Sequence, residues 1–469
     1  MDIKQKNIKD FSIDFNSKSK NILAKNAVTT VDLDNILLNR DVVQEFNNIF
    51  SKTLDLNDSI KVTNQKKSGR CWIYAYSTII KYKMIEKYKL DNFEFSASYI
   101  FFYDKLEASN YFLHNIIKTK NEDINSRIVT CFLKEPISDG GNWSMFINII
   151  KKYGMIPKES FNETYQTSNS NDINSFLNNK LRDYAYNIRN DNYIDCKNLN
   201  EYLEKCMNEI YTILVIAMGE PPKKIDWQYY TKKSNNKNKL YKIVQNITPL
   251  DFYKKYIPFN EDNLLLCADN PCKPYYTKIK IRYLNNMVGG LDTEFYNIPI
   301  EDIKLIVKKS IDNNKAIAFG CDVDKYFNES IGILDTNSID YNKVFNTDIK
   351  LSKKNRLYYR TSDVNHAMVI KGYDNKTMKK IVKKSSKNKR KSKRGGYKSK
   401  KIDKYLVENS WGTNSGVDGN LIMTDNYFDQ YLYEIIAEKR FIPKKILDIK
   451  KKKPIYLELW EPFGYLLNC

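Results

Sequence analysis

The sequence predicts an α+β fold built as two lobes, and three observations predict it. Helical patterns dominate the chain as far as residue 314 and short strand patterns follow, an order that segregates helices from sheet instead of alternating them. The stretch from Cys71 to about Tyr88 carries apolar or aromatic residues on nearly every side, the mark of a buried helix. Four runs after residue 315, "AIAFGCDV", "HAMVIKGYD", "KYLVENSWG" and "GNLIMTD", are short, rich in β-branched residues and separated by turn residues. At 469 residues the chain has room for two or three domains, or for one large domain with insertions.

Residues 1–60 read as a polar, charged N-terminal arm with short helical patterns such as "VVQEFNNIFSKTL". Residues 61–160 make a helical lobe. Its first helix starts at Cys71, with Ser68 as the expected N-cap and Gly69 for the tight turn into it. A second helix is expected from Ser96 to Ile117, and a third from Trp143 to Lys152, stopped by Gly154 and followed by Pro157. Residues 161–290 read as a mixed helical insertion with Tyr-rich pieces and Pro221-Pro222. Residues 291–450 form the strand-rich lobe, opening with the helical "IPIEDIKLIVKKSIDNN" and carrying a basic loop, 375–402, between the second and third strands. Residues 451–469 are a C-terminal arm. No internal repeat is present.

The formal net charge is +21, but 13 Lys or Arg and no acid fall between Lys379 and Lys401, so the remaining +8 makes the body only moderately basic. Such a block is usually solvated, and its incidental affinity would be for polyanions, with sequence-independent, salt-sensitive phosphate contacts. The eight cysteines are scattered, and the one close pair, Cys267 and Cys272, lacks the second pair or the histidines of a zinc site; no metal or other cofactor is expected. The longest apolar run, "YTILVIAMG", is far short of a membrane span, and the N-terminus has no apolar signal core. The expected compartment is a reducing cytoplasm with all thiols free.

The chemistry centres on "NQKKSGRCW". A cysteine attacks as its thiolate, which a helix N-terminus and an adjacent imidazolium both favour. Cys71 has the first from its helix and needs a histidine for the second. The chain holds only two. His114, in "NYFLHNIIK", sits at helical spacing among apolar residues and reads as a packed or surface side chain. His366 begins a strand, and Asn409 lies on the following strand, 43 residues later. An asparagine accepts the ring N–H and holds the tautomer without adding charge, and Trp411 would shield that bond. The backbone N–H of Cys71 and the side-chain amide of Gln65 are the expected donors to an oxyanion. Cys131 and Cys321 read as core thiols.

"NQKKSGRCW", "HAMVIKGYD" and "VENSWGTNSGVDGNLIMT", in the order Cys, His, Asn, resemble the active-site segments of papain-like cysteine peptidases. Arg70 stands where papain has a small residue. That departure, with "FEFSASYIFFYDKLE", "SDGGNWSMFINIIKKYGMIPK", "NMVGG", "FGCDV" and the ending "ELWEPFGYLLNC", narrows the resemblance to the bleomycin hydrolase and aminopeptidase C group, from about residue 60 to the C-terminus. The resemblance implies a papain-like two-lobed core, one lobe with a central helix and one an antiparallel barrel-like lobe, with a helical, hook-like insertion used in oligomerisation. It implies cytosolic thiol aminopeptidases, usually hexameric, acting on peptides with a free N-terminus. It makes Cys71, His366 and Asn409 catalytic and places Gly140 and Gly141 along the cleft. The C-terminal arm lies in the cleft, where its terminal carboxylate meets the substrate's amino group. Here Leu467, Asn468 and Cys469 extend past the usual ending, so that carboxylate belongs to Cys469, or to Asn468 or Leu467 after trimming.

Two rivals stand beside this expectation. One is an endopeptidase of the same fold without the arm's restriction. The other is a nucleic-acid-binding protein acting through residues 379–401, with a secondary peptidase core. A transglutaminase shares the Cys-to-His order but normally takes an aspartate third, which Asn409 in "NSWG" disfavours.

Overall fold

The computed structural model of the chain describes residues 1–56, 60–190, 198–232, 239–375 and 402–464. The basic block and residues 465–469 lie outside the described residues. Long helices crowd the first half, and all but one of the strands of the main sheet follow residue 263. In chain order the described strands are β1 (Lys52–Thr53), β2 (Ile225–Lys232), β3 (Lys239–Ile247), β4 (Leu264–Ala268), β5 (Thr277–Ile281), β6 (Glu294–Asn297) and β7 (Ile317–Cys321). They continue with β8 (Phe327–Asn328), β9 (Ile333–Leu334), β10 (His366–Asn375), β11 (Ile402–Glu408), β12 (Asn420–Thr424), β13 (Leu432–Glu438) and β14 (Ile455–Leu457).

Twelve of these strands form one sheet in the order β14-β5-β6-β4-β13-β7-β10-β11-β12-β9-β8, with β1 paired to β10. The sheet is mixed: β14/β5, β4/β6 and β12/β9 are parallel and the other pairings antiparallel. Strands β7, β10 and β13 at its centre are buried along most of their length, which is why they read as near-continuous apolar runs. Apart from β1, the first strand of the sheet is Leu264–Ala268, inside the segment that the sequence assigns to a mixed helical insertion. The run "LLLCA" is short and apolar, and periodicity alone does not tell such a strand from a buried helix. Before it, two helices (Asn171–Arg189, Leu199–Met218) lead into the β2/β3 hairpin, which is pinned through Trp227 against Tyr88, Phe93 and Phe252.

The helix Cys71–Tyr88 packs on β7 and β10, and 14 of its 18 residues are buried. It ends where Lys89 turns left-handed (φ 52°) and the Leu90 N–H reaches back to the Ile85 carbonyl. Its N-cap is Arg70, not Ser68, whose hydroxyl is occupied by Gln65 and Arg70. The helix Trp143–Tyr153 ends at Gly154 as expected; φ is 83°, and a Cβ there would stand 2.3 Å from the Pro249 carbonyl oxygen. Cys131 departs from the expectation of free thiols: it is disulfide-bonded, whereas Cys71, Cys206, Cys267, Cys272 and Cys321 are free. Scattered spacings give no signal for such a pairing.

A helix buried on every side has to bring its polar residues inside with it. Lys81 (2% exposed) meets Glu408 (4%) with Nζ 3.5 Å from Oε1, while Lys371 Nζ lies 3.2 Å from Oε2 and the Tyr82 hydroxyl also donates to Oε2. Burial works against the Glu408 carboxylate, but Lys81 and Lys371 outweigh it and hold the group below the ordinary range. Removing the carboxylate strands two ammonium groups. Glu408→Ala is therefore expected to cost about 3–5 kcal/mol in urea unfolding, and a loss below about 1 kcal/mol would refute the network's role.

Candidate active site

Cys71 is the first residue of its helix, and the turn before it is held from below by charge. The guanidinium of Arg70, fully buried, pairs with Glu163 through both nitrogens (3.1 and 2.8 Å), and its Nε donates to the Ser68 hydroxyl at 2.8 Å. Glu163 also accepts from Tyr74 and Thr167. Such a bidentate pair is both strong and geometrically demanding. On the other side the Gly69 N–H donates to Asp139 Oδ2 at 3.0 Å, and a Cβ on Gly69 would fall 2.6 Å from the Asp139 Cβ. Here the glycine serves close approach. Lys105, buried, lies 2.8 Å from Asp139 Oδ1 and holds that carboxylate far below its ordinary range against the effect of burial.

His366 opens β10, and its Nε2 donates to Asn409 Oδ1 at 2.8 Å. The Trp411 ring lies over the imidazole, with centroids 4.9 Å apart. Asn409 is not on the strand but is the first residue beyond β11. Its Oδ1 also accepts from the Ser410 N–H (2.8 Å), which draws the chain off the ladder. Strands β10 and β11 pair directly, Val369 opposite Glu408, so sheet register brings these two side chains together.

Gln65 is joined to the same corner. Its N–H donates to the Ser410 carbonyl (2.7 Å), its Oε1 accepts from the Ser410 hydroxyl (2.6 Å), and its Nε2 donates to the Ser68 carbonyl (2.6 Å). One hydrogen of Nε2 is left for another acceptor. Gly412 (φ 75°) lets this segment lie against Asn64; a Cβ would stand 2.5 Å from Asn64 Nδ2.

Cys71, His366 and Gln65 line one cavity of about 250 Å³, together with Gly140 and Gly141. Gly141 rests on the Trp72 indole, leaving no space for a side chain, and Trp72 Nε1 donates to the Asp139 carbonyl at 2.7 Å. His114 lies on the helix Ala97–Lys118 and does not line this cavity; Asn468 and Cys469 lie outside the described residues. Glu163, Asp139, Tyr76, Glu434 and Phe463 belong to the site or its support and were not anticipated. The legible signals were an arginine directly before the cysteine and an acid inside the apolar run "YLYEIIA".

Cys71 and His366 are both buried, and burial acts on both groups. Burial pushes the Cys71 thiol up to about 11, against the opposing pull of the Ala367, Trp72 and Cys71 backbone amides. Burial likewise brings His366 down to about 4, opposed by its bond to Asn409. Burial thus disfavours the charged form of each group, in opposition to the helix terminus, which favours the thiolate. The unfolded chain binds a proton at a histidine below pH 6.5, the folded chain only below about 4. Stability from this group is therefore complete above pH 6.5 and lost as the pH falls toward 4, by up to about 3 kcal/mol. Denaturant unfolding between these pH values is expected to show that loss, and His366→Gln to flatten it; an unchanged slope in the variant would contradict a buried neutral imidazole.

Comparison with known proteins agrees with this geometry. Residues 2–464 match the Peptidase C1-like family. The chain is 35% identical over 460 residues to a bleomycin hydrolase of Homo sapiens, covering 96% of each chain. It is 33% identical over 408 residues to an aminopeptidase C of Listeria monocytogenes serovar 1/2a, covering 87% of this chain and 86% of the other. The crystal structure of pepw from Lactobacillus rhamnosis hn001 superposes with a TM-score of 0.89 at 33% identity, covering 99% of both chains. A match of this extent, on a chain whose Cys71, His366 and Asn409 come together around one cleft, places the protein in the Peptidase C1-like family.

Proposed function

We propose that the protein is a cysteine aminopeptidase of the bleomycin hydrolase and aminopeptidase C kind, removing N-terminal residues from peptides. The observation that carries this reading is the His366–Asn409 bond, shielded by Trp411, at the edge of a cavity that also exposes Cys71. With Nε2 committed to Asn409, Nδ1 is the nitrogen that works. The thiol proton passes to Nδ1 as Sγ attacks the carbonyl carbon of the first peptide bond. The oxyanion is held by the Cys71 N–H and the free Nε2 hydrogen of Gln65. The imidazolium then protonates the leaving amine, the C–N bond breaks, and a thioester remains. Water attacks the thioester while His366 takes its proton, releasing the amino acid and restoring the thiol. The mechanism needs no cofactor.

The restriction to N-terminal residues rests on the C-terminal segment. What supports it is Phe463, which lines the cavity and stacks on Phe295 with centroids 5.3 Å apart. In this reading the terminal carboxylate, on Cys469 or after trimming on Asn468 or Leu467, meets the substrate's ammonium, and Gly140 and Gly141 border the bound peptide. The two-lobed papain-like arrangement, with a barrel-like strand lobe and a C-terminal arm, belongs to the same proposal. So does a homohexamer, supported by exposed apolar residues on the N-terminal helices (Ile8, Phe11, Ile13) and on the β2/β3 hairpin (Tyr230, Tyr241); light scattering that gives a monomer refutes it. A reducing compartment such as the cytoplasm suits a nucleophilic thiol, and among the described residues no helix is long and apolar enough to cross a membrane. Weak nucleic-acid binding by residues 379–401 remains part of the reading, and deletion of that block tests it.

The decisive assay pairs a fluorogenic substrate bearing a free amino-terminus with its N-acetylated twin. Cleavage of the free form alone, abolished by Cys71→Ala, is expected; equal cleavage of both would discard the aminopeptidase restriction and leave an endopeptidase. Gln65→Ala is expected to lower kcat by ~10²–10³, the usual loss for one oxyanion donor.

A further inference from the structure

The helix that begins at Cys71 ends beside a second cavity. It encloses about 130 Å³ and is walled by Leu54, Ile79, Leu264, Ile317, Ile436 and Phe441, each less than a tenth exposed. It shares no lining residue with the cleft that holds Cys71. Lys83, at its mouth, comes twelve residues after Cys71, roughly 18 Å along the helix axis. Strand register builds the wall: Leu264 on β4 pairs with Glu438 on β13, and Ile436 lies opposite Ala318, the residue after Ile317 on β7. Cavities of about 150 Å³ lined by Leu, Ile and Phe take a benzene ring, so this one has room for a phenyl or a branched alkyl group.

The mouth is charged. Lys83, Glu86, Lys315 and Glu438 line this cavity and also an outer cleft of about 660 Å³, to which Lys87, Lys439 and Arg440 contribute. The two carboxylates of the outer cleft are already engaged. Glu438 meets Lys83 at 3.0 Å and Arg440 at 2.7 Å, and Glu86 meets Lys315 at 3.1 Å. Lys87 and Lys439 donate to the backbone carbonyls of Tyr256 and Asp262, and among the described residues neither pairs with a carboxylate. Asp55, exposed, is the one further acid of the inner cavity. Five cations thus face three carboxylates over the two spaces, and five face two in the outer cleft. A positive cleft opening on an apolar recess suits a ligand with an anionic head and a compact apolar body. Coulomb attraction holds the head, and removal of apolar surface from water holds the body. A bare inorganic anion would leave the recess unfilled, and an uncharged ring would leave the excess positive charge unmatched.

We propose that the two spaces form one binding site, separate from the cleft that holds Cys71, for a small organic carboxylate bearing a single phenyl or branched alkyl group. Hydrophobic amino acids, the products of the proposed activity, carry this chemistry, and so do simple hydrophobic acids. The site itself does not depend on the peptidase reading.

Full-length protein is titrated calorimetrically with 3-phenylpropionate, its uncharged counterpart 3-phenylpropanamide, and L-phenylalanine. The carboxylate is expected to bind about ten-fold or more tightly than the amide, the scale of a hydrogen bond to a charged group. In protein carrying both Lys83→Met and Lys315→Met that preference is expected to vanish. Binding of L-phenylalanine at similar strength identifies an amino-acid site; binding of 3-phenylpropionate alone identifies a site for simple acids. No binding, equal affinity for acid and amide, or a preference that survives the double substitution overturns the proposal. Should the double variant fold poorly, hydrogen exchange of the unaltered protein locates the ligand. Saturating 3-phenylpropionate is expected to slow exchange in residues 79–86 and 436–441; slowing only around Cys71, Gly140 and His366, or none, overturns the proposal. Peptide hydrolysis is measured separately, and its absence would sink the peptidase reading while leaving this site standing.

Discussion

The carboxylate of Glu408 is the point on which the cleft depends. It sits at the end of β11, one residue before Asn409, and it is bound by Lys81 and Tyr82 from the middle of the helix that begins with Cys71. Lys371 joins it from β10, the strand that begins with His366. Three elements bring Cys71, His366 and Asn409, and all three converge on one buried acid. Buried ion pairs of this kind are weak evidence for net stability, because desolvation offsets most of their attraction. Their value is positional. A shift of the helix against the sheet would break several charge contacts at once, whereas apolar side chains alone would tolerate sliding.

A second, half-buried carboxylate performs the same service on the approach to the cysteine. Asp139 takes the Gly69 amide, the Lys105 ammonium, Ser170 and Asn174, while its own carbonyl accepts the Trp72 indole N–H. It thereby joins the turn before Cys71 to the loop that carries Gly140 and Gly141. Arg70 closes the other side through Glu163. The arginine at position 70 thus anchors the turn through a buried bidentate pair.

Against these fixed charges, burial favours the neutral forms of the groups that line the cleft. The same burial that raises the Cys71 thiol and lowers His366 also raises Glu434. The cleft is thus a low-dielectric space holding three groups poised to change charge, in which any charge that a substrate brings or a transition state develops is felt strongly. The frame around it is held by ion pairs.

The sequence by itself determined the candidate catalytic set. Two histidines, one of them in a helical apolar pattern, left His366; a cysteine at the head of an apolar helix, a glutamine six residues before it and an asparagine ahead of Trp411 completed the arrangement, because each carries its chemistry in its own type and local spacing. Only the tertiary structure decided what holds these residues and what else faces the substrate. Glu408, Asp139 and Glu163 are ordinary acids in the sequence, and become anchors because folding sets each beside a buried base, Lys81, Lys105 and Arg70. Glu434 reads as one acid in an apolar strand until the register of β13, β7 and β10 lays it over Gly320 into the cleft. Likewise Leu264–Ala268 resembles buried helix or strand equally until β13 and β6 pair with it. Local pattern reveals chemistry that depends on residue type; burial and strand register, which depend on contacts far apart in the chain, exist only once it has folded.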